Sequence, residues 1–311
     1  VKILVTGGAG FIGSHLTDAF LASGHSVVIL DNLSSGKVAN INSSATFVQG
    51  DIRDAKLVME LFQEHKFDVV NHHAAQLDVR KSVADPVFDC TTNVLGTLNL
   101  LEAARTVGSV KRFMFASTGG AVYGEQDYFP ADENHPTRPI SPYGVTKRTV
   151  ELYLDYYKAV HGLNYVAFRY TNVYGPRQDA HGEAGVVAIF INKLLAGETC
   201  VINGKGKQTR DYVFVGDLVR AHLLALSEYK GSGILNVSTA IETNVNEIFS
   251  TLNEAITSGS AKPEYGPAKA GEQERSVCSY ALIEKTLGWT PKVGLQDGLA
   301  QTVDSFRNQN G

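Results

Sequence analysis

Cysteine is scarce in this chain. Cys90, Cys200 and Cys278 are the only three in 311 residues, far apart and without a C-x-x-C pair. That excludes a disulfide framework and a thiolate zinc site, and it fits a reducing compartment. The histidines show no ligand spacing either; His72 and His73 are neighbours, and neighbours in an extended strand face opposite sides, so no metal is expected. Long apolar runs are missing, with nothing near the roughly 20 residues of a membrane-spanning helix. The opening Val1-Lys2-Ile3-Leu4-Val5 reaches glycine at position 7, too short a run for a secretory h-region, so a cytoplasmic location is expected. Charge of one sign is lacking as well. A net charge of −4 gives no electrostatic reason to expect nucleic acid or an anionic membrane as partner.

What is present is an ample core: hydrophobic residues make up 43% and charged residues 19%, the balance of a globular protein. Short apolar runs at Ile3–Thr6, Val27–Leu30, Thr46–Gln49, Val69–His72, Arg112–Ala116 and Tyr165–Arg169 read as strands. Amphipathic stretches at Ser14–Ala22, Lys56–His65 and Thr92–Val107 read as helices between them. This alternation predicts an α/β fold with a doubly wound parallel sheet, in which ligands bind beyond the carboxyl ends of the strands. Gly7, Asp31, Asp51, Ala74, Thr118 and Asn172 all fall at such ends. After Gly175-Pro176-Arg177 the pattern loses regularity. We expect a first domain over residues 1–175 and a smaller C-terminal α/β substrate domain over 176–311, with segments near 211–238 returning to the first.

Gly7-Gly8-Ala9-Gly10-Phe11-Ile12-Gly13 follows the first strand and opens the first helix, the context that makes a Rossmann dinucleotide fingerprint credible. Gly7 permits the tight turn, Gly10 admits a pyrophosphate to the helix N-terminus, and Gly13 lets helix and sheet pack closely. Asp31 ends the second strand, where a carboxylate accepts from both ribose hydroxyls and repels a 2′-phosphate. No arginine follows closely in Asn32-Leu33-Ser34-Ser35-Gly36-Lys37, so NAD is favoured over NADP, with Lys37 as the reservation. Asp51 suits an adenine amine, or is simply a surface-turn aspartate.

Tyr143 and Lys147 stand four apart in Ser141-Pro142-Tyr143-Gly144-Val145-Thr146-Lys147, one helical turn on one face. An ammonium beside a phenol lowers the phenol pKa from about 10 towards neutrality, so the tyrosine can serve as general base.

Together with Ala116-Ser117-Thr118-Gly119-Gly120-Ala121-Val122-Tyr123-Gly124, Arg169-Tyr170-Thr171-Asn172-Val173-Tyr174-Gly175-Pro176-Arg177 and Gln208-Thr209-Arg210-Asp211-Tyr212-Val213, these motifs give the chain its resemblance. It resembles the extended short-chain dehydrogenase/reductase family, in particular the nucleotide-sugar group typified by UDP-glucose 4-epimerase, over essentially its whole length. The resemblance implies an isomerase in which Tyr143 removes the 4-hydroxyl proton while C4 gives hydride to NAD, leaving a transient 4-keto sugar. Lys147 would tune the phenol and bond the nicotinamide ribose, and Thr118 would hydrogen-bond the same sugar oxygen. Further cofactor contacts are implied at Phe11, Ile12, Asn32, Ser35, Gly36, Ile52, His73, Ala74, Ala75, Gln76, Asn93, Ser117, Tyr170 and Val173. Gly119-Gly120 stands where related 4,6-dehydratases carry an Asp-Glu pair, and glycine cannot do acid–base chemistry, which counts against dehydration.

For the UDP-sugar substrate, the resemblance implies Asn172 at the diphosphate and Val187, Phe190 and Val201–Asn203 around the uracil. Arg210 and Lys269 would supply positive charge, and Glu272 would accept from the nucleotide ribose. The family commonly has Arg and Asp where Lys269 and Glu272 stand. Lysine cannot reproduce a bidentate guanidinium contact, so Arg275 is expected to share the role. A serine at Ser276 would leave room for an acetamido group, hence UDP-N-acetylglucosamine as an additional substrate. Arg80 keeps UDP-glucuronate 4-epimerisation open through pairing with a C6 carboxylate. The remaining rivals are a nucleotide-4-ketosugar reductase and a non-catalytic NAD(H) sensor; sensors typically lose the tyrosine or lysine retained here. Relatives often form homodimers through the helices after Asn93 and around Tyr143, with Leu152, Tyr153 and Tyr156 as a candidate apolar seam or as core contacts.

Overall fold

Near-continuous apolar strands such as Lys2–Thr6 and Ser26–Asp31, buried over most of their length, can only sit in a sheet covered on both faces. The computed structural model describes residues 1–179, 185–268 and 273–310; Lys269 and Glu272 lie outside them. Seven strands form the central sheet: β1 (Lys2–Thr6), β2 (Ser26–Asp31), β3 (Thr46–Gln49), β4 (Val69–His72), β5 (Arg112–Thr118), β6 (Tyr165–Tyr170) and β7 (Gly233–Val237). Their order is β7-β6-β5-β4-β1-β2-β3, and every neighbouring pair is parallel. The order reverses between β1 and β4, so a crevice opens at their carboxyl ends.

Helix starts and stops follow local chemistry. Helix α1 (Phe11–Ala22) begins directly after Gly10, which offers no side-chain cap. Helix α2 (Ala55–His65) starts at Asp54, whose carboxylate accepts from Lys56 N and Leu57 N, and stops at Lys66 in the left-handed region. The stretch expected as one helix over Thr92–Val107 is two structures: a π-helical turn at Thr91–Leu95, then helix α3 (Gly96–Val107). Such wide turns recur where a side chain must be aimed at a site, and this one carries Asn93. Helix α4 (Pro142–His161) is set by Ser141, which accepts from Gly144 N, by Pro142 in its first turn, and by Gly162 in the left-handed conformation at its end.

One core layer lies on each sheet face. On one side α2, α3 and α4 contribute Val58, Phe62, Leu100, Leu101, Val150 and Leu154. On the other, α1 contributes Leu16 and Phe20, and helix α5 (Val215–Ser227) contributes Leu218, Ala221 and Ala225. A third core lies around Val187, Phe190, Ile191, Phe249, Leu252 and Phe306. Small strand pairs adjoin it: Val201–Asn203 with Glu264–Gly266, and Thr209–Arg210 with both Thr243–Asn244 and Arg275–Ser276. Ile283, Leu287 and Trp289 join the core of the central sheet, a return of the chain absent from the sequence-based expectation.

Candidate active site

At the carboxyl end of β1 the three glycines build a cradle. A Cβ at Gly13 would stand 2.2 Å from Gly7 O, one at Gly10 3.2 Å from the same oxygen, and one at Gly7 2.7 Å from Ala74 N. The amides of the first turn of α1 have no intrahelical acceptor and no side chain caps them at Gly10, so they face a phosphate-sized anion site. Asp31 is buried and accepts from Ala9 N at 3.0 Å and Leu33 N at 2.8 Å, which fixes its carboxylate beside the loop. A Cβ at Gly36 would fall 2.9 Å from Asp31 Oδ1, so glycine there keeps the carboxylate approachable. These residues fit a dinucleotide. Lys37, the reservation against NAD, pairs with Asp179 at 3.4 Å.

Other expected cofactor residues are placed unevenly. Asn32 Nδ2 donates to Asp51 at 2.9 Å, and Asp51 is also held by Arg53 at 2.7 Å, which keeps its carboxyl low, about 2. An adenine amine would therefore share oxygens already in use. The Ile52 side chain is buried and packs against Gly96, and its carbonyl accepts from Asn99 Nδ2 at 2.9 Å. Ser35 lies in the loop between β2 and β3, and Ala75 follows Ala74 beyond β4. Gln76 and Asn93 lock together: Asn93 Oδ1 accepts from Gln76 N at 2.8 Å, and Asn93 Nδ2 donates to Gln76 O at 2.9 Å. Asp89, missed in the sequence, accepts from both side chains and from Thr146. Val173 is partly buried between two cores.

His72 is structural: it bridges Thr6 on β1 at 2.6 Å and Thr97 on α3 at 2.8 Å. His73 differs. Its Nε2 lies 3.0 Å from Tyr170 OH, which is also 2.6 Å from His222 Nε2. Burial holds His73 low, near 3, so it stays neutral at cellular pH.

The candidate catalytic residues meet at the ends of β5 and α4. Lys147 is buried and donates from Nζ to Ala116 O at 2.8 Å. The same atom lies 5.8 Å from the Tyr143 ring centroid and 4.8 Å from that of Phe115. Burial lowers its pKa to about 8, against the opposing pull of Asp89 and Glu151. Tyr143 N donates to Ser82 Oγ at 3.2 Å. Thr118 ends β5 and its hydroxyl does not cap the short helix that follows. A Cβ at Gly119 would stand 2.9 Å from Cys278 Sγ, whereas one at Gly120 would meet only Thr118 Oγ1, at 3.8 Å. The missing acids at these positions thus have different causes: at Gly119 the space is already filled.

Beneath this cluster lies a charge network that sequence reasoning missed. Glu151 is fully buried and accepts from Arg169 at 2.7 and 2.9 Å, Arg148 at 3.0 Å and Ser117 Oγ at 2.6 Å. Ser117 therefore directs its hydroxyl to Glu151, leaving only its backbone for a cofactor. Arg169 continues to Tyr123 at 3.0 Å, and Tyr123 to Asn236 at 2.7 Å. The i, i+4 series Tyr143, Lys147, Glu151 was the available signal.

On the substrate side, Asn172 opens the short strand Asn172–Tyr174, which pairs with Tyr212–Phe214. Asp211, also missed, is buried and accepts from Thr239 and Ala240; burial pushes its carboxyl up to about 6. Arg210 Nη1 donates to Thr209 O at 2.8 Å, and Val201 is exposed beside the partly buried Asn203. Three of the expected substrate positions are engaged with the protein itself. Val187 and Phe190 are only 1% and 2% exposed because they fill the third core, Phe190 edge-on to Phe249. The Arg275 guanidinium is gripped by Glu242 through Nη2 at 2.5 Å and Nε at 3.0 Å, and it stacks 3.8 Å from the Phe129 centroid. Ser276 is 3% exposed, so it bounds the site from within the packing rather than from its surface. Arg80 lies 3.7 Å from Asp78 on an exposed helix.

The family model described as the NAD dependent epimerase/dehydratase family matches residues 3–238. The UDP-glucose 4-epimerase of Thermotoga maritima, crystallised with UDP-glucose, is 46% identical with a TM-score of 0.97, and the match covers 100% of both chains. The Thermus thermophilus UDP-glucose 4-epimerase in complex with NAD is 46% identical, with a TM-score of 0.92 over 99% of each chain. A UDP-N-acetylglucosamine 4-epimerase from Methanobrevibacter ruminantium M1 is 34% identical, with a TM-score of 0.93 over 99% of this chain and 98% of that one. With its glycine cradle, its Tyr143–Lys147 helix and this match over most of its length, the chain belongs to the NAD dependent epimerase/dehydratase family.

Proposed function

We propose that the protein interconverts UDP-glucose and UDP-galactose by inverting C4 and keeps NAD bound through the cycle. The observation that carries this reading is the buried Lys147 ammonium beside Tyr143, next to a Thr118 hydroxyl that caps nothing and two glycines that offer no second acid. Gly7, Gly10, Gly13 and Asp31 would hold NAD, which supplies a reversible acceptor for the hydrogen on the sugar's C4. Tyr143 Oη takes the 4-hydroxyl proton, and Thr118 Oγ1 hydrogen-bonds that oxygen so the proton moves along a fixed line. Lys147 stabilises the phenolate through its charge, and Glu151 and Asp89 help keep that charge in place. When the 4-keto sugar presents its other face, Tyr143 returns the proton to the same oxygen. Proton and hydride both come back, so no external oxidant is consumed, unlike a net reductase.

The nucleotide half is assigned to the region after residue 176, with Asn172 and Arg210 directed to the diphosphate. The acetamido sugar is a second substrate on this reading, supported by the Methanobrevibacter relative, a UDP-N-acetylglucosamine 4-epimerase. A homodimer through α4 is supported by Val145, Leu152, Tyr153, Tyr156 and Val160, all exposed and spaced along one helix; no helix among the described residues is long and apolar enough to cross a membrane. A cytoplasmic location accords with the free cysteines. Kinetics on UDP-galactose and UDP-N-acetylgalactosamine test the reading: turnover of the first without added cofactor supports it and its absence overturns it, while no turnover of the second removes the acetamido sugar alone.

A further inference from the structure

Residues Phe11, His15 and Asp18 share one face of α1, spaced i, i+4, i+7. The chain just past the Asn172–Tyr174 strand lies along this face. His15 Nε2 donates to Pro176 O at 2.8 Å, since a carbonyl can only accept, and Arg177 Nη2 pairs with Asp18 Oδ2 at 2.7 Å. A third link runs from Lys37, in the loop after β2, to Asp179 at 3.4 Å. Arg177 adopts φ 65°, a left-handed conformation that costs a non-glycine residue energy and persists only where its surroundings impose it.

The two elements gripped by these links are the walls of the glycine cradle. Ala9 O accepts from Lys37 N at 2.9 Å and from Asn40 Nδ2 at 3.0 Å. Asp18 also accepts from Asn42 Nδ2, at 2.7 Å. The fingerprint turn, the loop after β2 and the Pro176–Asp179 segment are thus joined into one ring, with Asp18 holding two of its parts.

We propose that Pro176–Asp179 is a cofactor clasp, closed by Asp18, His15 and Lys37, that must open before bound dinucleotide can leave. The inference rests on NAD being resident. The Arg177–Asp18 pair is the main latch, because its side chains are only about one-third exposed (31% and 34%), against 55% and 40% for Lys37–Asp179.

The test is the rate at which NAD leaves the purified, NAD-loaded protein into cofactor-free buffer, followed as heat-released NAD retained over time. Arg177→Ala and Asp18→Ala should each speed release by about fivefold, the upper range for a partly exposed ion pair. Asp18→Ala also loses Asn42 and should be at least as fast as Arg177→Ala, and the double variant should be no faster than Asp18→Ala alone, because Arg177 acts only through that link. Lys37→Ala, on the exposed link, should give a smaller increase and carries no folding risk. Release rates unchanged in all variants, with the unsubstituted protein retaining NAD, overturn the clasp alone. Immediate loss of NAD from the unsubstituted protein overturns both the clasp and the resident-cofactor reading.

Discussion

The Lys147 ammonium lies 5.8 Å from the centre of the Tyr143 ring while its hydrogen bond goes to Ala116 O. The ammonium's charge thus stands beside the phenol ring while one of its hydrogens is held by the strand. Removing the phenolic oxygen should leave Lys147 and its partners where they are. Tyr143→Phe should keep the fold and lower kcat by about 10²–10⁴, the usual worth of a positioned acid–base. Steady-state kinetics beside a thermal melt check this.

The Lys147 pKa of about 8, against an ordinary 10.5, reflects burial. Between these values the unfolded chain binds the proton and the folded one does not, so this group makes stability rise with pH from about 8 to about 10.5. Activity should move the other way: as the ammonium discharges near pH 8, support for the phenolate is lost and kcat falls. Urea midpoints and kcat across pH 7–10 test both directions, and Lys147→Met should abolish the stability slope.

Glu151 and Arg169 form a buried pair, joined at 2.7 and 2.9 Å. Removing either partner strands a charge in the core and should cost roughly 3–5 kcal/mol. Glu151→Ala should show this loss in chemical denaturation, and Glu60→Ala, 59% exposed on α2, should not.

Gly119→Ala places a methyl 2.9 Å from Cys278 Sγ, whereas Gly120→Ala meets nothing closer than 3.8 Å. The first should cost about 1–3 kcal/mol through overpacking, and the second much less. Adding Cys278→Ala should recover part of the Gly119→Ala loss. Melting temperatures of the three proteins decide it.

Much of the fold was legible because parallel strands buried on both faces are apolar throughout, as in Lys2–Thr6 and Tyr165–Tyr170. Helix caps were less so: α1 begins three residues before its expected start because Gly10 ends the turn. The π-helical turn at Thr91–Leu95 is only five residues long, too short for its wider period to stand out against the 3.6-residue repeat that follows. In the proposed site, Gly7, Gly10, Gly13, Tyr143 and Lys147 are singled out by residue type and spacing, which a sequence carries in one dimension. Glu151, Asp89 and Asp211 are harder to find, because although Arg148 and Asn93 lie within about one turn of them, their other partners are 13 or more residues away and only the folded sheet brings them together. The surroundings of Val187, Phe190 and Arg275 were hidden for the same reason: Phe249 packs on Phe190 and Glu242 holds Arg275 from distant parts of the chain.

The central claim is a self-contained C4 epimerisation centred on Tyr143. The most direct test incubates the purified protein with UDP-galactose and no added cofactor, then separates the nucleotide sugars and quantifies heat-released NAD. The account predicts UDP-glucose formed alongside near-stoichiometric NAD, with product lost in Tyr143→Phe. Release of no NAD, together with no UDP-glucose until external cofactor is supplied, would contradict it.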